Sequence, residues 1–457
     1  MDTSRLEEFV FEKMARTRLP GLSLALVADE ELRYARGFGQ RDLDDGRPAT
    51  PNTLYSIGSV TKSFTALAVL QLVERGVLDL SDPVEKHLPY DIRPKGGTVR
   101  LEHLLTHSSG IPALAYSEAV IGHANGTGGR PLPIGGPEDV LTFMSGSAEW
   151  AESLPGERWA YANEGYALLG LIVEEVSGQK YEEYLRQNVL RPLGMERSFF
   201  ARSEVEADAD VAVPYVLPAD APPRPGRYLY RNIRSEGGLI SNVLDLARYL
   251  RVFLAGGAGV VEPGSVEAMM RPRVDGPFRR SGLAGEPAGD VASGWGFGLV
   301  AEELLGRKMV GHGGSVLVST AYLAFLPEDG LGVAVLANAS GYPLRKIARA
   351  ALATMLGEGP EVVPAVKVES ELESVCGRYR GFRGAIEATV EREGDFLRLR
   401  FDGSAAEQAI LVPEQLTGRE LRFFTLTDGL RLPVVIRRSQ TGTELLFERH
   451  KLRRTGE

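Results

Sequence analysis

Cysteine is almost missing from this chain: Cys376 is the only one among 457 residues. A single thiol excludes an internal disulfide framework and any multi-cysteine metal site, so Cys376 reads as a packing residue of the C-terminal region. Basic charge is also short, with 52 lysines and arginines against 61 aspartates and glutamates and a net charge of -9. Nothing supplies the positive surface that phosphate contacts need, and no nucleic-acid partner is expected. No apolar run is long enough to cross a bilayer, so no membrane partner is expected either. The opening stretch, MDTSRLEEFVFEKMARTRLPG, lacks the basic-then-apolar order of a secretory leader and reads as an amphipathic helix. The expected location is cytoplasmic.

What remains is the composition of an ordinary globular protein, 43% hydrophobic and 25% charged, and long enough for two or three units. Residues 21–27 and 32–38 flank an acidic turn at Asp29-Glu30-Glu31 and predict a β-hairpin. A helix is predicted from about Val60 to Arg75, with Gly76 free to close it in a left-handed conformation. Residues 101–193 read as helical, broken by a Gly/Pro-rich stretch at 122–137. Residues 243–254 predict another helix, capped by Ser241 or Asn242. Strands are predicted at 295–300, 319–326 and 331–337, and a last helix at 344–356. Strands at both ends with helices between predict an α+β domain over 1–360, built on an antiparallel sheet with a helical insertion. Beyond about Val368 short strands at even spacing predict an all-β barrel or sandwich, giving a second domain over 361–457.

Three short segments carry chemistry. In Ser59-Val60-Thr61-Lys62, a serine stands one helical turn before a lysine. A hydroxyl needs a base to become a nucleophile, and residues three apart share a helix face. Burial can depress an amine's pKa far enough for Lys62 to serve. Ser177-Gly-Gln-Lys180 repeats the spacing but reads as an exposed helix end. In Tyr161-Ala162-Asn163, a phenol can relay a proton and an amide can fix a substrate carbonyl. Tyr230-Arg-Asn232 competes for the same role; Tyr161 is preferred because its loop enters a helix. In Gly311-His312-Gly313-Gly314-Ser315, glycines allow close backbone approach just before a strand, and His312 would otherwise be a turn residue. The amides of Ser59 and Ser315 could together hold an oxyanion.

In this order the three segments resemble the serine β-lactamase and penicillin-binding-protein superfamily, in the branch of class C β-lactamases, D-aminopeptidases and family VIII esterases. Leu104–Pro112, Arg191–Met195 and Gly237–Ser241 look like scaffold of that branch, His107 included. The resemblance implies acylation of Ser59, proton transfers shared by Lys62 and Tyr161, and a substrate and oxyanion pocket from Asn163, His312, Gly314 and Ser315. His312 departs from the lysine typical of β-lactamases, and a histidine near its ordinary pKa is only partly charged. The implied activity is hydrolysis of amides or esters of small molecules or short peptides, D-residues included, with β-lactam hydrolysis or a silent sensor as alternatives. Gly377-Arg-Tyr379 and the strand rhythm behind it resemble a lipocalin-like barrel. No cofactor is implied, and a homo-oligomer is compatible with the sequence. An α/β-hydrolase is disfavoured by the absence of a Gly-x-Ser-x-Gly elbow. Metal-dependent hydrolysis is disfavoured because the six histidines are not expected to place a His-x-x-x-His pair on one helix.

Overall fold

The computed structural model describes residues 1–276, 293–402, 408–440 and 442–455. Its internal contacts divide the chain into two units between Gly357 and Glu358.

The first unit is built on one antiparallel sheet. Its strands are β1 (Gly21–Ala28), β2 (Glu31–Gly39), β3 (Gly294–Trp295), β4 (Val300–Leu304), β5 (Arg307–Ser315), β6 (Thr320–Leu326) and β7 (Leu331–Ala337). Among the described residues the order across the sheet is β2-β1-β7-β6-β5-β4-β3, so the earliest hairpin pairs directly with the last strand. Asp29 and Glu30, with φ of 51° and 64°, form the tight turn between β1 and β2. Two left-handed residues in succession match the twist of a two-residue hairpin. The strand expected over 295–300 is two short strands instead. Gly298, at φ 67°, turns the chain between them. The glycine-rich segment at 311–315 is the end of β5 rather than a turn before a strand. Its partner β6 supplies the ladder, with His312 opposite Leu323 and Ser315 opposite Thr320.

Helices cover this sheet. In α1 (Ser4–Thr17), Leu6, Phe9, Val10 and Met14 recur at helical spacing and are buried. Each such side chain contributes roughly 1.5–3 kcal/mol. The central helix α2 (Thr61–Glu74) is buried over almost its whole circumference from Thr61 to Leu72. A helix apolar or small on every side belongs inside a large core. Helices α3 (Leu101–Leu105) and α4 (Asn163–Ser177) lie in the insertion. Helix α5 (Val243–Leu254) starts at Asn242, whose Oδ1 accepts from the amides of Leu244 and Asp245, both at 3.0 Å. Helix α6 (Leu344–Met355) buries Ile347, Ala348, Ala351 and Leu352.

The second unit opens with a helix, α7 (Pro364–Glu373), where an all-β reading had no helix. Pro360 and Pro364 obscured it, yet Pro at the first helical turn is favourable. Eight strands follow: β8 (Gly377–Arg380), β9 (Glu387–Glu393), β10 (Phe396–Phe401), β11 (Gln408–Gln415), β12 (Glu420–Thr427), β13 (Leu430–Ser439), β14 (Gly442–Phe447) and β15 (His450–Arg454). Each pairs with its sequence neighbours, and β8 closes on β15 to make a barrel. Alternate residues such as Leu421, Phe423, Val434 and Ile436 fill its interior. Tyr379, expected to mark this domain, is buried there and donates its hydroxyl to the Val375 carbonyl at 2.7 Å.

Candidate active site

Ser59 sits in a single turn of 3₁₀ helix, Gly58–Val60, that runs straight into α2. The segment before it is fixed by short pairings: Tyr55 and Ser56 with Ser241 and Ile240, and the Ile57 amide with the Leu239 carbonyl at 3.0 Å. Gly58 has φ of 50°, the left-handed conformation that glycine adopts without penalty. A side chain there would also place its Cβ 2.7 Å from the Ser315 nitrogen. A Cβ at Gly314 would fall 1.9 Å from the Ile57 carbonyl oxygen and 3.1 Å from the Ser59 nitrogen. These two glycines therefore let strand β5 and the Ser59 turn meet backbone to backbone, bringing the Ser59 and Ser315 amides to one seam.

Lys62 is fully buried one turn beyond Ser59. Its Nζ lies 3.0 Å from Ser59 Oγ, 2.7 Å from Asn163 Oδ1 and 2.5 Å from the Glu236 carbonyl oxygen. Burial brings its pKa down to about 7, only partly opposed by the charge of Glu236. The partner set then dictates the geometry of deprotonation. An ammonium satisfies all three acceptors, whereas a neutral amine keeps two protons and one lone pair. Neither Asn163 Oδ1 nor the Glu236 carbonyl can donate, so the lone pair must face the Ser59 hydroxyl. Glu236 was not among the sequence candidates. It acts on Lys62 through its backbone, which leaves no side-chain signature, while its carboxylate accepts from the Tyr116 hydroxyl.

Tyr161 stands in the extended stretch leading into α4, and Asn163 is the first residue of that helix. Asn163 does not cap the helix; its oxygen faces Lys62 and its Nδ2 donates to Glu118 Oε1 at 3.3 Å. The Tyr161 ring lies 5.0 Å from Lys62 Nζ. Burial holds its phenol well above the ordinary range, with a hydrogen bond to Ser59 acting against that rise. His107, read as scaffold, positions this stretch. Its carbonyl accepts from the Ala160 amide at 2.7 Å and its Nδ1 from the Ala162 amide at 3.2 Å. Its ring stacks on Tyr161 at 4.1 Å. Accepting at Nδ1 places the proton on Nε2, and burial keeps the ring neutral. His103 and His107 do have the His-x-x-x-His spacing, which the sequence expectation passed over. The helix ends at Leu105 and His107 is left-handed at φ 56°, so the two do not share a helix face.

His312 lines the same cleft from β5. Its Nδ1 lies 2.5 Å from the Gly313 carbonyl, which fixes the proton there and leaves Nε2 as an acceptor without a partner among the described residues. Burial, reinforced by the nearby Lys62 charge, pushes its pKa down to about 3. The partial positive charge expected from sequence is thus absent: the ring is neutral. Ser315 lies at the mouth, its side chain exposed. The cleft holds about 810 Å³ and is walled on one side by Trp159 and Trp295, whose rings stack at 5.5 Å. Neither tryptophan was singled out in the sequence, since a lone aromatic carries no spacing signal. The two decoys fall elsewhere. Tyr230 packs against Leu54, Val205 and Ile240, and Lys180 is exposed beyond a helix closed by Gly178.

Residues 6–355 match the Beta-lactamase family, and residues 360–453 match the Pab87 octamerisation domain. The chain is 42% identical to the octameric penicillin-binding protein homologue from Pyrococcus abyssi, covering 99% of this chain and 100% of that one with a TM-score of 0.92. Protein flp of Staphylococcus aureus strain MW2 is 28% identical over 340 residues, 73% of this chain; the match spans 62% of the length of that relative. A D-stereospecific amidohydrolase from Streptomyces shares the fold at 23% identity and a TM-score of 0.60, over 77% of this chain and 98% of that one. With three quarters of its length in one family match and a relative similar from end to end, this chain belongs to the β-lactamase family.

Proposed function

We propose that the chain is a serine hydrolase working through an acyl-enzyme on Ser59, cleaving amides or esters of small molecules and short peptides, D-residues included. The observation that carries this reading is the contact of a buried Lys62 amine, with its pKa near neutrality, with the Ser59 hydroxyl. Neutral Lys62 takes the hydroxyl proton as Ser59 Oγ bonds to the substrate carbonyl carbon. The oxygen of that carbonyl, now negative, is held by the Ser59 and Ser315 amides. The scissile C–N or C–O bond then breaks, and the leaving group receives the proton from Lys62 through Tyr161. Tyr161 is a relay, since a phenol held above its ordinary pKa stays protonated at neutral pH. Water then repeats the sequence on the ester and frees the acid. Asn163 holds Lys62 and fits a substrate carbonyl, while His312 Nε2 offers an acceptor to a substrate N–H or O–H.

The neutral state of His312 favours peptidase or esterase chemistry over penicillin hydrolysis, because no cation stands where β-lactamases keep their third-motif lysine. The C-terminal barrel, by its similarity to an octamerisation domain, supports a homo-oligomer of this chain. A panel of nitrophenyl esters, D- and L-aminoacyl anilides and a chromogenic cephalosporin tests the activity, with intact-protein mass spectrometry for an adduct on Ser59. Turnover of esters or anilides with an adduct abolished in Ser59→Ala is expected. Rapid cephalosporin turnover would overturn the reading of His312, and undiminished activity in Ser59→Ala would overturn the mechanism.

A further inference from the structure

Glu236 and Tyr116 form a buried pair apart from the reacting groups. They are 3% and 0% exposed, and neither lines the cleft. Tyr116 opens a helix of the insertion, Tyr116–Ala124, and donates its hydroxyl to Glu236 Oε1. The other carboxylate oxygen accepts from the Arg234 amide at 3.1 Å and the Ser235 hydroxyl at 3.5 Å. Every partner of this carboxylate among the described residues is therefore a donor, and none is a cation. The Arg234 guanidinium is turned to other acids, Glu174 at 3.0 Å and Glu182 at 3.2 Å. Such surroundings suit a group that only accepts.

The same residue meets Lys62 through its backbone. Glu236 stands in a turn whose Arg234 carbonyl accepts from the Gly237 and Gly238 amides at 3.2 Å and 2.7 Å. Its own carbonyl accepts from Lys62 Nζ. A side chain tied to Tyr116 and a backbone tied to Lys62 join the insertion to the base of the nucleophile. Burial lowers the pKa of that amine, and of the charges opposing the fall, that of Glu236 acts most strongly. Glu118 and Glu164 follow; the first is exposed to water, and burial pushes the second up to about 7. The rings of Tyr161 and Tyr166 lie 5.0 Å and 5.6 Å from Nζ, and burial keeps both phenols protonated. Tyr181, within the field of Glu236, is held protonated in the same way. His107 and His312 are neutral.

We propose that Glu236, pinned by Tyr116, is the positioning residue of Lys62: its carbonyl aims the amine at Ser59, and its carboxylate supplies the negative charge against which the amine gains and loses its proton. The inference rests on the reading of Lys62 as the base of Ser59. A nearby negative charge favours the ammonium form. Removing that charge leaves more neutral amine at low pH, so the acid limb of Ser59 reactivity moves down. A residue that served packing alone would lower reactivity at every pH and leave the limb in place.

The experiment follows phosphonylation of Ser59 in the full chain by an alkyl fluorophosphonate, read by intact-protein mass spectrometry across pH. Ser59 Oγ bonds to phosphorus, fluoride leaves and Lys62 takes the hydroxyl proton, so the natural substrate need not be known. With Lys62 at about 7, the wild-type rate at pH 6 should be about one tenth of that at pH 9. In Glu236→Gln this ratio is expected to rise about threefold or more. An amide at that position also sets a donor among donors. A second variant, Glu236→Gln with Tyr116→Phe, removes the charge and the facing hydroxyl together and should show the same rise. Glu236→Asp keeps the charge and should keep the wild-type ratio. Far-UV circular dichroism confirms that each variant is folded. An unchanged ratio in the folded charge-free variants, or an equal rise in Glu236→Asp, overturns the role of Glu236 and leaves Lys62 as the base. A wild-type rate that does not fall below pH 7 overturns both.

Discussion

The cleft of the first unit and the barrel treat buried polarity in opposite ways. Around Ser59, ionisable groups are buried without opposite charges in contact: Lys62 is held by neutral acceptors, and His107 and His312 are kept neutral. Glu164, buried beside Asn163, is likewise pushed up to about 7 by burial. In the barrel the interior is mostly apolar, with Thr425 among its inward residues, and the buried carboxylates Glu369 and Glu444 meet Arg392, Lys451 and Arg453. Burying an ionisable group against neutral partners costs stability and shifts its pKa, which is tolerated where the shift is used. The first unit therefore holds its chemistry in reserve, and the second is organised for packing.

The contrast can be broken most severely at its centre. Ser59→Ala should cut turnover of the best nitrophenyl ester by about 10⁴-fold or more, with Lys62→Ala close behind, measured in steady state with loss of the acyl adduct. A comparable loss of stability belongs to the barrel. Phe423→Ala should cost that unit about 3–5 kcal/mol in denaturant unfolding, while the rate of Ser59 acylation per molecule stays unchanged. Gly314→Ala should reduce kcat by roughly 10²–10³, the usual worth of an oxyanion donor, because a methyl group would push strand β5 off the Ser59 turn. Tyr161→Phe should slow acylation or deacylation by about 10²-fold in rapid-quench kinetics, and Tyr230→Phe should leave both rates alone.

The smallest effect sharpens the comparison through pH. Lys62 must be neutral to act, and its folded pKa of about 7 lies below the ordinary 10.5. The kcat/KM should fall about tenfold per pH unit below roughly 7 and level off above it. His312, at about 3, and Tyr161, above its ordinary range, do not titrate in this window. For stability the sign is the same. The unfolded chain binds the Lys62 proton between about 7 and 10.5 while the folded chain does not, so this group's contribution to stability increases with pH across that interval.

Much of the architecture was legible in the sequence. The hairpin at 21–39, the helix at 243–254 and the Ser59–Lys62 turn are governed by local spacing, and local spacing is what a sequence displays; the choice of Asn242 over Ser241 as the helix cap came only with the structure. Strand β5 was not legible, because Gly311, Gly313 and Gly314 are poor strand formers; pairing with β6 and close packing on the Ser59 turn outweigh that propensity. Helix α7 was hidden by prolines and valines that suit other conformations equally well. Glu236 and the two tryptophans of the cleft were missed for a different reason. Their relation to Ser59 and Lys62 is set by tertiary approach, and nothing in their neighbours along the chain marks it. The charge of His312 was misread because its ordinary pKa says nothing of its burial.

The pairing of β1 with β7 has a consequence for how the molecule comes into being. A ribosome delivers the nucleophile early, yet the sheet that positions it lacks its middle until the strand ending at Ala337 has emerged. The oxyanion seam likewise waits for Gly314 and Ser315. Such distant pairings make for slow, cooperative assembly, whereas every barrel pairing except the closing one of β8 with β15 joins sequential neighbours. The nascent chain therefore carries an inert serine until nearly the whole first unit has been synthesised.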